Sequence, residues 1–90
     1  MIQVSFTSHL EVFFPNIQTE NIEAKTLEEL LDKLNIKYPG LNRYILEDNC
    51  TIRKHVNIFL DSIAIVNKND LSVSVENCKE VFIMQALSGG

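Results

Sequence analysis

In "TLEELLDKLNIKYPG" (residues 26–40), apolar side chains recur at the spacing of one helix face, and this stretch decides the fold. The pattern i, i+3, i+4, i+7 of an amphipathic helix is formed by Leu27, Leu30, Leu31 and Leu34. Thr26 with Glu29 three positions later matches a capping box, which marks the start of a helix. Pro39 and Gly40 disfavour further helical geometry. We therefore predict one main helix that begins after Thr26 and ends before Pro39.

Stretches of alternating apolar and polar residues lie on both sides of this helix. Two of them precede it, "MIQVSF" (1–6) and "NIEAKT" (21–26), and we expect them to pair as a hairpin with a long loop. Three more follow it, namely "HVNIFLD" (55–61), "SIAIVN" (62–67) and "EVFIMQAL" (80–87). The last is apolar on both faces, which is typical of a central strand or of a strand whose second face meets a partner.

The order of elements predicts the fold class. Between the helix and the later strands, residues 41–54 have apolar spacing for one or two helical turns. A hairpin, one crossing helix and further strands in 90 residues favour an α+β fold of the β-grasp type. We expect a mixed sheet of four to five strands packed by one main helix. This domain should span residues 1–87, followed by a flexible Ser-Gly-Gly tail at residues 88–90.

Charge, the N-terminal residues and the cysteines argue against several classes of function. With 12 acidic and 8 basic residues the net charge is -4, which disfavours binding to nucleic acid or to anionic membranes. The first residues lack the pattern of a signal peptide, and no apolar run is long enough to span a bilayer, so we expect a cytoplasmic protein. Cys50 and Cys78 do not form a C-x-x-C motif, and two ordinary reduced thiols are expected.

The chain offers no pattern from which a catalytic residue or a metal site can be assigned. His9 and His55 are best interpreted as surface histidines, and the distance between Cys50 and His55 in the sequence is not specific for a nucleophile and its base. The acidic residues of the helix, including Glu28, belong on its solvent side. A glycine-rich phosphate loop is also missing from the sequence.

Chemistry is instead indicated by the ending "MQALSGG" (residues 84–90). Glycine has no Cβ, so Gly89 and Gly90 could be threaded through a channel too narrow for any other residue. A terminal carboxylate on Gly90 would be ionised at neutral pH and could attack the α-phosphate of a nucleotide. The alternative is a trimmed terminus with no function.

The strand order, the helix ending in "YPG" (38–40) and the stretches "VNIFLD" (56–61) and "VFIMQALSGG" (81–90) resemble the ubiquitin-like sulfur carrier proteins of the MoaD/ThiS family. Residues 41–61 further resemble the subgroup that serves cysteine biosynthesis. The resemblance implies a ubiquitin-like β-grasp and a protein that acts as a cosubstrate, not as a catalyst. One departure is Gln85, where many relatives have proline.

The resemblance also implies a reaction cycle and its partners. A ubiquitin-activating-type adenylating enzyme would use Mg-ATP to adenylate Gly90, while the carrier itself would bind no cofactor. A sulfur donor, such as a cysteine desulfurase or a rhodanese-like protein, would then yield a thiocarboxylate. A downstream synthase would pass this sulfur to an acceptor for cysteine, for the molybdenum cofactor, for thiamine or for a tRNA base. Gly89 would thread the partner's channel and Ser88 would be the pivot of the tail.

By the same resemblance, Phe82 and Met84, with Phe59 from the neighbouring strand, would form the patch that docks the activating enzyme. The alternative is that residues 41–52 simply cover these side chains. For the whole protein two other hypotheses stay open. One is a protein modifier joined to lysines through Gly90, and the other is a β-grasp interaction domain with an inert tail.

Overall fold

The fold is taken from a computed structural model of the 90-residue chain, which describes residues 1–85. The tail predicted at Ser88, Gly89 and Gly90 lies outside these residues, as do Ala86 and Leu87. The described elements are β1 (Ile2–Phe6), a 3-10 helix (Ser8–Val12), β2 (Glu20–Ile22), α1 (Leu27–Lys37), α2 (Asn42–Ile45), β3 (Val56–Leu60), β4 (Ile63–Ala64) and β5 (Glu80–Gln85).

The strands form one mixed sheet in the order β2-β1-β5-β3-β4. Strands β1 and β5 run parallel, whereas the other three neighbouring pairs are antiparallel. With α1 across one face, this is the predicted β-grasp, and its sheet has five strands. The last strand, β5, lies in the centre, which is one of the two explanations for its apolar residues on both faces.

Helix α1 begins and ends where the sequence predicts. Thr26 Oγ1 accepts a hydrogen bond from the backbone N–H of Glu29 at 3.2 Å. The Glu29 carboxylate accepts from the N–H of Lys25 at 2.7 Å, one residue earlier than in a standard capping box. At the other end, Tyr38 leaves the helical region before Pro39, and Gly40 has a φ of +94°, which only glycine adopts without strain.

The core lies between α1 and the inner face of the sheet. Its buried members on α1 are the four leucines predicted from the helical spacing, Leu27, Leu30, Leu31 and Leu34. The strands contribute the inward residues of β1, β3 and β5, among them Val4, Ile58, Val81 and Ile83. The irregular segment 41–52, with α2 as its single helical turn, adds Leu41, Ile45 and Ile52 to the same core.

Two details before the main helix differ from the sequence-based prediction. The second strand is Glu20–Ile22, shorter and earlier than the expected residues 21–26. Its first residue, Glu20, is buried because Lys37 Nζ lies 2.7 Å from its Oε1 and the Tyr38 hydroxyl donates to its Oε2. The loop between β1 and β2 contains the 3-10 helix Ser8–Val12, which has no regular apolar period to predict it.

Candidate functional site at the end of the central strand

The end of β5 is hydrogen-bonded to its neighbours on both sides within the sheet. On one side, the backbone N–H of Gln85 donates to Thr7 Oγ1 at 3.0 Å, and the N–H of Thr7 donates to the carbonyl of Ile83 at 3.1 Å. On the other side, Gln85 is paired with Val56 of β3. Because two neighbouring strands fix Gln85, the residues that follow it in the sequence start from a defined point on the domain.

Beside this point, three apolar side chains share the outer face of the sheet. Phe59 and Phe82 lie directly opposite each other on β3 and β5, with ring centroids 6.3 Å apart and planes tilted by 40°. Together with Met84 they line an open groove of about 360 Å³, which we call the outer groove. All three side chains are only half-buried. The structure thus brings together the three residues to which the resemblance assigns docking.

Residues 41–52 pack elsewhere. Their buried side chains, Leu41, Ile45 and Ile52, join the core cluster on the inner face of the sheet. Phe59, Phe82 and Met84 alternate with inward residues of their strands and therefore point to the opposite face. Within residues 1–85, the segment 41–52 contributes no side chain to the lining of the outer groove.

A second apolar surface lies on the helix side of the same strand end. The rings of Phe13 and Tyr44 are stacked with centroids 4.6 Å apart, and Phe14 meets Tyr44 edge-on at 5.5 Å. Val12 is 71% exposed and Phe13 is 44% exposed. We call the stacked rings of Phe13 and Tyr44, together with the exposed Val12 next to Phe13 in the sequence, the aromatic rim. Sequence reasoning missed it, and the only signal was a run of apolar residues in a loop that fits neither a helical nor a strand period.

The cysteines do not form a site. Cys50 is exposed in a turn with a φ of +64°, and Cys78 is half-buried. Burial raises the pKa of the Cys78 thiol, and the negative charge of Asp61 raises it further. A raised pKa lowers the thiolate fraction, so Cys78 is less nucleophilic than a free thiol. Across residues 1–85, no three potential metal ligands of the His, Cys, Asp or Glu type lie together.

A larger groove of about 660 Å³ lies between α1 and the segment that contains α2. One ion pair lies on its wall. Arg53 Nη1 lies 3.1 Å from Glu47 Oε1, and Arg53 Nε donates to the carbonyl of Arg43 at 3.1 Å. Glu28, on its wall, is exposed as the helical pattern predicts. We assign no ligand to this groove.

None of the helices that the structure describes combines the length and the apolar character needed to cross a bilayer. We take the strand end, with the outer groove on one side and the aromatic rim on the other, as the candidate functional site because the Gly-Gly ending follows it in the sequence.

Comparison with solved structures identifies the fold. The chain is similar to CysO in the Amycolatopsis orientalis BexX/CysO complex, with a TM-score of 0.83 over 100% of both chains and 16% identity. It is also similar to Mycobacterium tuberculosis CysO, with a TM-score of 0.80 over 97% of this chain and 100% of that one at 17% identity. The chain has a ubiquitin-like β-grasp fold.

A third similar structure of this β-grasp fold is SAMP1 from Haloferax volcanii, with a TM-score of 0.72, 18% identity, and coverage of 99% of this chain and 98% of that one. No family model and no curated protein sequence matches the chain. At these identities the similarity establishes the fold, and it confirms the fold class expected from the sequence.

Proposed function

We propose that this chain is a sulfur carrier of the MoaD/ThiS type, in which the carboxylate of Gly90 is the reactive group. One observation carries the proposal. Gly89 and Gly90 are the fourth and fifth residues after the central strand of a β-grasp domain, and CysO structures match 97–100% of this chain. In this role the domain is a cosubstrate, and the catalytic groups belong to its partners.

The chemistry takes place at the carboxylate alone. A carboxylate oxygen of Gly90 attacks the α-phosphate of ATP in the adenylating partner, and pyrophosphate leaves. Hydrosulfide then displaces AMP from the acyl carbon and yields a thiocarboxylate. Where the persulfide of a donor protein displaces AMP instead, a second thiol cleaves the resulting acyl disulfide, which releases the thiocarboxylate and leaves a disulfide on the donor. The thiocarboxylate sulfur attacks an electrophilic carbon of the acceptor and displaces its leaving group, and water then hydrolyses the resulting thioester, which releases the thiol product and restores the carboxylate. Mg-ATP is bound by the activating enzyme and not by this chain.

The role in cysteine biosynthesis is our first choice among the possible pathways. Residues 41–61 resemble the carriers of that type, and the CysO structures share the fold over nearly the whole chain. The complex of CysO with BexX supports the idea that a domain of this shape binds a protein partner. The molybdenum cofactor and thiamine pathways use the same carboxylate chemistry and are the next candidates.

The outer groove is the proposed docking surface for the adenylating enzyme. Phe82 and Met84 lie three residues and one residue before the end of β5, which leads to Gly90, and Phe59 lies opposite Phe82 on β3. All three side chains are apolar and half-buried. Aromatic rings with a flexible methionine suit a surface that must bind several partners in turn.

Mass spectrometry tests the function directly. The purified chain is incubated with Mg-ATP, sulfide and each ubiquitin-activating-type adenylating enzyme of the same genome. We expect a mass increase that corresponds to replacement of one oxygen of Gly90 by sulfur, and loss of the increase when ATP is omitted. If none of these enzymes produces the increase, the proposed function is wrong.

A further inference from the structure

The length of the tail limits how far a partner enzyme can lie from the domain. Five residues follow Gln85, from Ala86 to Gly90. A fully extended segment of that length spans at most about 17 Å. An enzyme that holds Gly90 in its active site must therefore contact the surface around Gln85.

Two apolar surfaces adjoin Gln85 from different sides. The outer groove lies on the outer face and includes Met84, the residue before Gln85. The aromatic rim lies on the helix side. It is connected to Gln85 through Tyr44, whose backbone oxygen is 3.5 Å from Gln85 Nε2, and through Thr7, which accepts from Gln85 N and precedes the 3-10 helix Ser8–Val12. An enzyme that surrounds the strand end would meet both surfaces.

The exposure of Val12 and Phe13 is not explained by the packing of the domain. Leu10 of the same 3-10 helix is fully buried, and Phe14 packs against the core, so these two residues anchor the loop. Val12 and Phe13 are not members of the core cluster, and they leave much of their apolar surface in water. These two side chains form an apolar patch that the core does not cover, next to the strand end that leads to Gly90.

We propose that Val12, Phe13 and Tyr44 form a second docking surface for the adenylating enzyme that acts on Gly90. The inference rests on the proposed function and adds to it a partner contact outside the outer groove. The enzyme should present an apolar depression beside the entrance to its glycine channel. Val12 and the edge of the Phe13 ring fill this depression, while the tail enters the channel and the outer groove contacts the other side of the entrance.

A pair of matched valine substitutions tests the second surface. Val12→Ser removes apolar area from the rim, and Val66→Ser makes the same change at a 95% exposed valine beyond the edge strand β4. In ATP–pyrophosphate exchange with the adenylating enzyme, Val12→Ser should raise the KM for the carrier about fivefold or more, as for an interface side chain. Its kcat should change little, and Val66→Ser should match the wild type.

Phe13 provides a second pair of variants. Phe13→Ser should raise KM further, and Phe13→Leu, which keeps an apolar side chain, should retain most of the wild-type affinity. Thermal unfolding of each variant separates a docking effect from a loss of fold, because Phe13 also stacks on Tyr44.

The outcomes separate this inference from the proposed function. If the wild type is adenylated and Val12→Ser has the same KM as Val66→Ser, the rim is not a docking surface, although the carrier function stands. If Val12→Ser changes only a monomer–dimer equilibrium in sedimentation, the rim binds a second copy and our inference is overturned. If no adenylating enzyme acts on the wild type, both proposals fail together.

Discussion

At the scale of single residues, a buried carboxylate fixes β2 to the end of α1. Glu20 is 8% exposed, and its two oxygens bind Lys37 and Tyr38, which lie 17 and 18 positions later in the chain. The hydrogen bond from Lys37 and then that from Tyr38 lower the pKa of Glu20. Burial and the bond to Glu20 raise the pKa of Tyr38. This cluster explains why a glutamate can begin a strand on a buried position.

We predict that Glu20→Gln lowers stability at neutral pH but not in acid. Because the pKa of Glu20 is lowered from its ordinary value of 4.5, its contribution is present above that value and is lost as the pH falls through the folded pKa. Loss of charged hydrogen bonds should cost about 1–2 kcal/mol at pH 7. Urea unfolding of both proteins between pH 7 and about pH 3 measures the difference, which should shrink with acid.

Glu23→Gln is the matched control for this prediction. Glu23 lies three residues after Glu20 and is exposed, so its substitution should leave the pH dependence of unfolding close to that of the wild type. A Glu20→Gln protein whose deficit is constant over the whole pH range would contradict our interpretation of the cluster.

At the scale of elements, the sequence predicts what depends on local spacing. Thr26 and Glu29 are three residues apart, and the buried leucines of α1 repeat within two turns, so both the helix and its start follow from neighbouring residues. The start of β2 depends on Lys37 and Tyr38, which lie in another element. No pattern within residues 20–26 contains that information, and this is why the predicted bounds were wrong.

The connection between β3 and β4 is a two-residue turn in which both residues have a positive φ. Asp61 and Ser62 have φ values of +49° and +74°, the left-handed region that a type I′ turn requires at both positions. Asp61 Oδ1 also accepts hydrogen bonds from the N–H groups of Glu80 and Lys79, each at 2.9 Å, and these bonds lower its pKa. The turn therefore positions the start of β5 as well as β4.

We predict opposite effects of glycine at these two neighbouring positions. Ser62→Gly should raise the free energy of unfolding by about 1 kcal/mol, because glycine adopts a positive φ without the Cβ contact that other residues suffer. Asp61→Gly should lower it despite the same relief, since the two backbone N–H groups lose their acceptor. Chemical denaturation of both variants measures the signs. Equal stabilisation by both would show that the Asp61 hydrogen bonds contribute nothing.

A third prediction concerns the outer groove. Phe82→Ser should raise the KM of the adenylating enzyme for the carrier about fivefold or more, because Phe82 lies in the middle of the proposed docking surface. Thermal unfolding should show that the domain stays folded, since Phe82 is half-buried and outside the core cluster.

Phe82→Leu serves as the conservative control, and Ile63→Ser, at a 74% exposed residue of β4, controls for loss of any exposed apolar side chain. Both should be adenylated almost as well as the wild type. If Phe82→Ser unfolds the domain, the residue belongs to the core and the docking role is lost.

At the scale of the whole molecule, the candidate site depends on how the chain is ordered. The last strand lies in the centre of the sheet, between β1 and β3, so elements from both halves of the chain surround its end. Strand alternation in β3 and β5 predicts that Phe82, Met84 and Phe59 share the outer face, and their docking role is what the resemblance to the MoaD/ThiS family implies. Phe13 and Tyr44 are 31 positions apart, in a loop and a single helical turn, and only the folded chain brings their rings to 4.6 Å.

The length of the tail tests the function of the whole molecule. Deleting Gly90 or appending one alanine after it moves the carboxylate by about 3.5 Å, and alanine also adds a Cβ that a glycine channel excludes. Because a displacement of about 1 Å can already cost about 100-fold in rate, either change should abolish adenylation. Both variants should keep the thermal stability of the wild type, since the altered residue lies beyond β5.

An interaction domain with an inert tail would bind its partners equally well in all three forms. A protein modifier would also lose activation, but the wild type would then be found joined to lysines of other proteins, and peptide mapping for a Gly90–lysine isopeptide bond would show it. A carrier should give the thiocarboxylate in the wild type, neither product in the two variants, and no such bond in any of them.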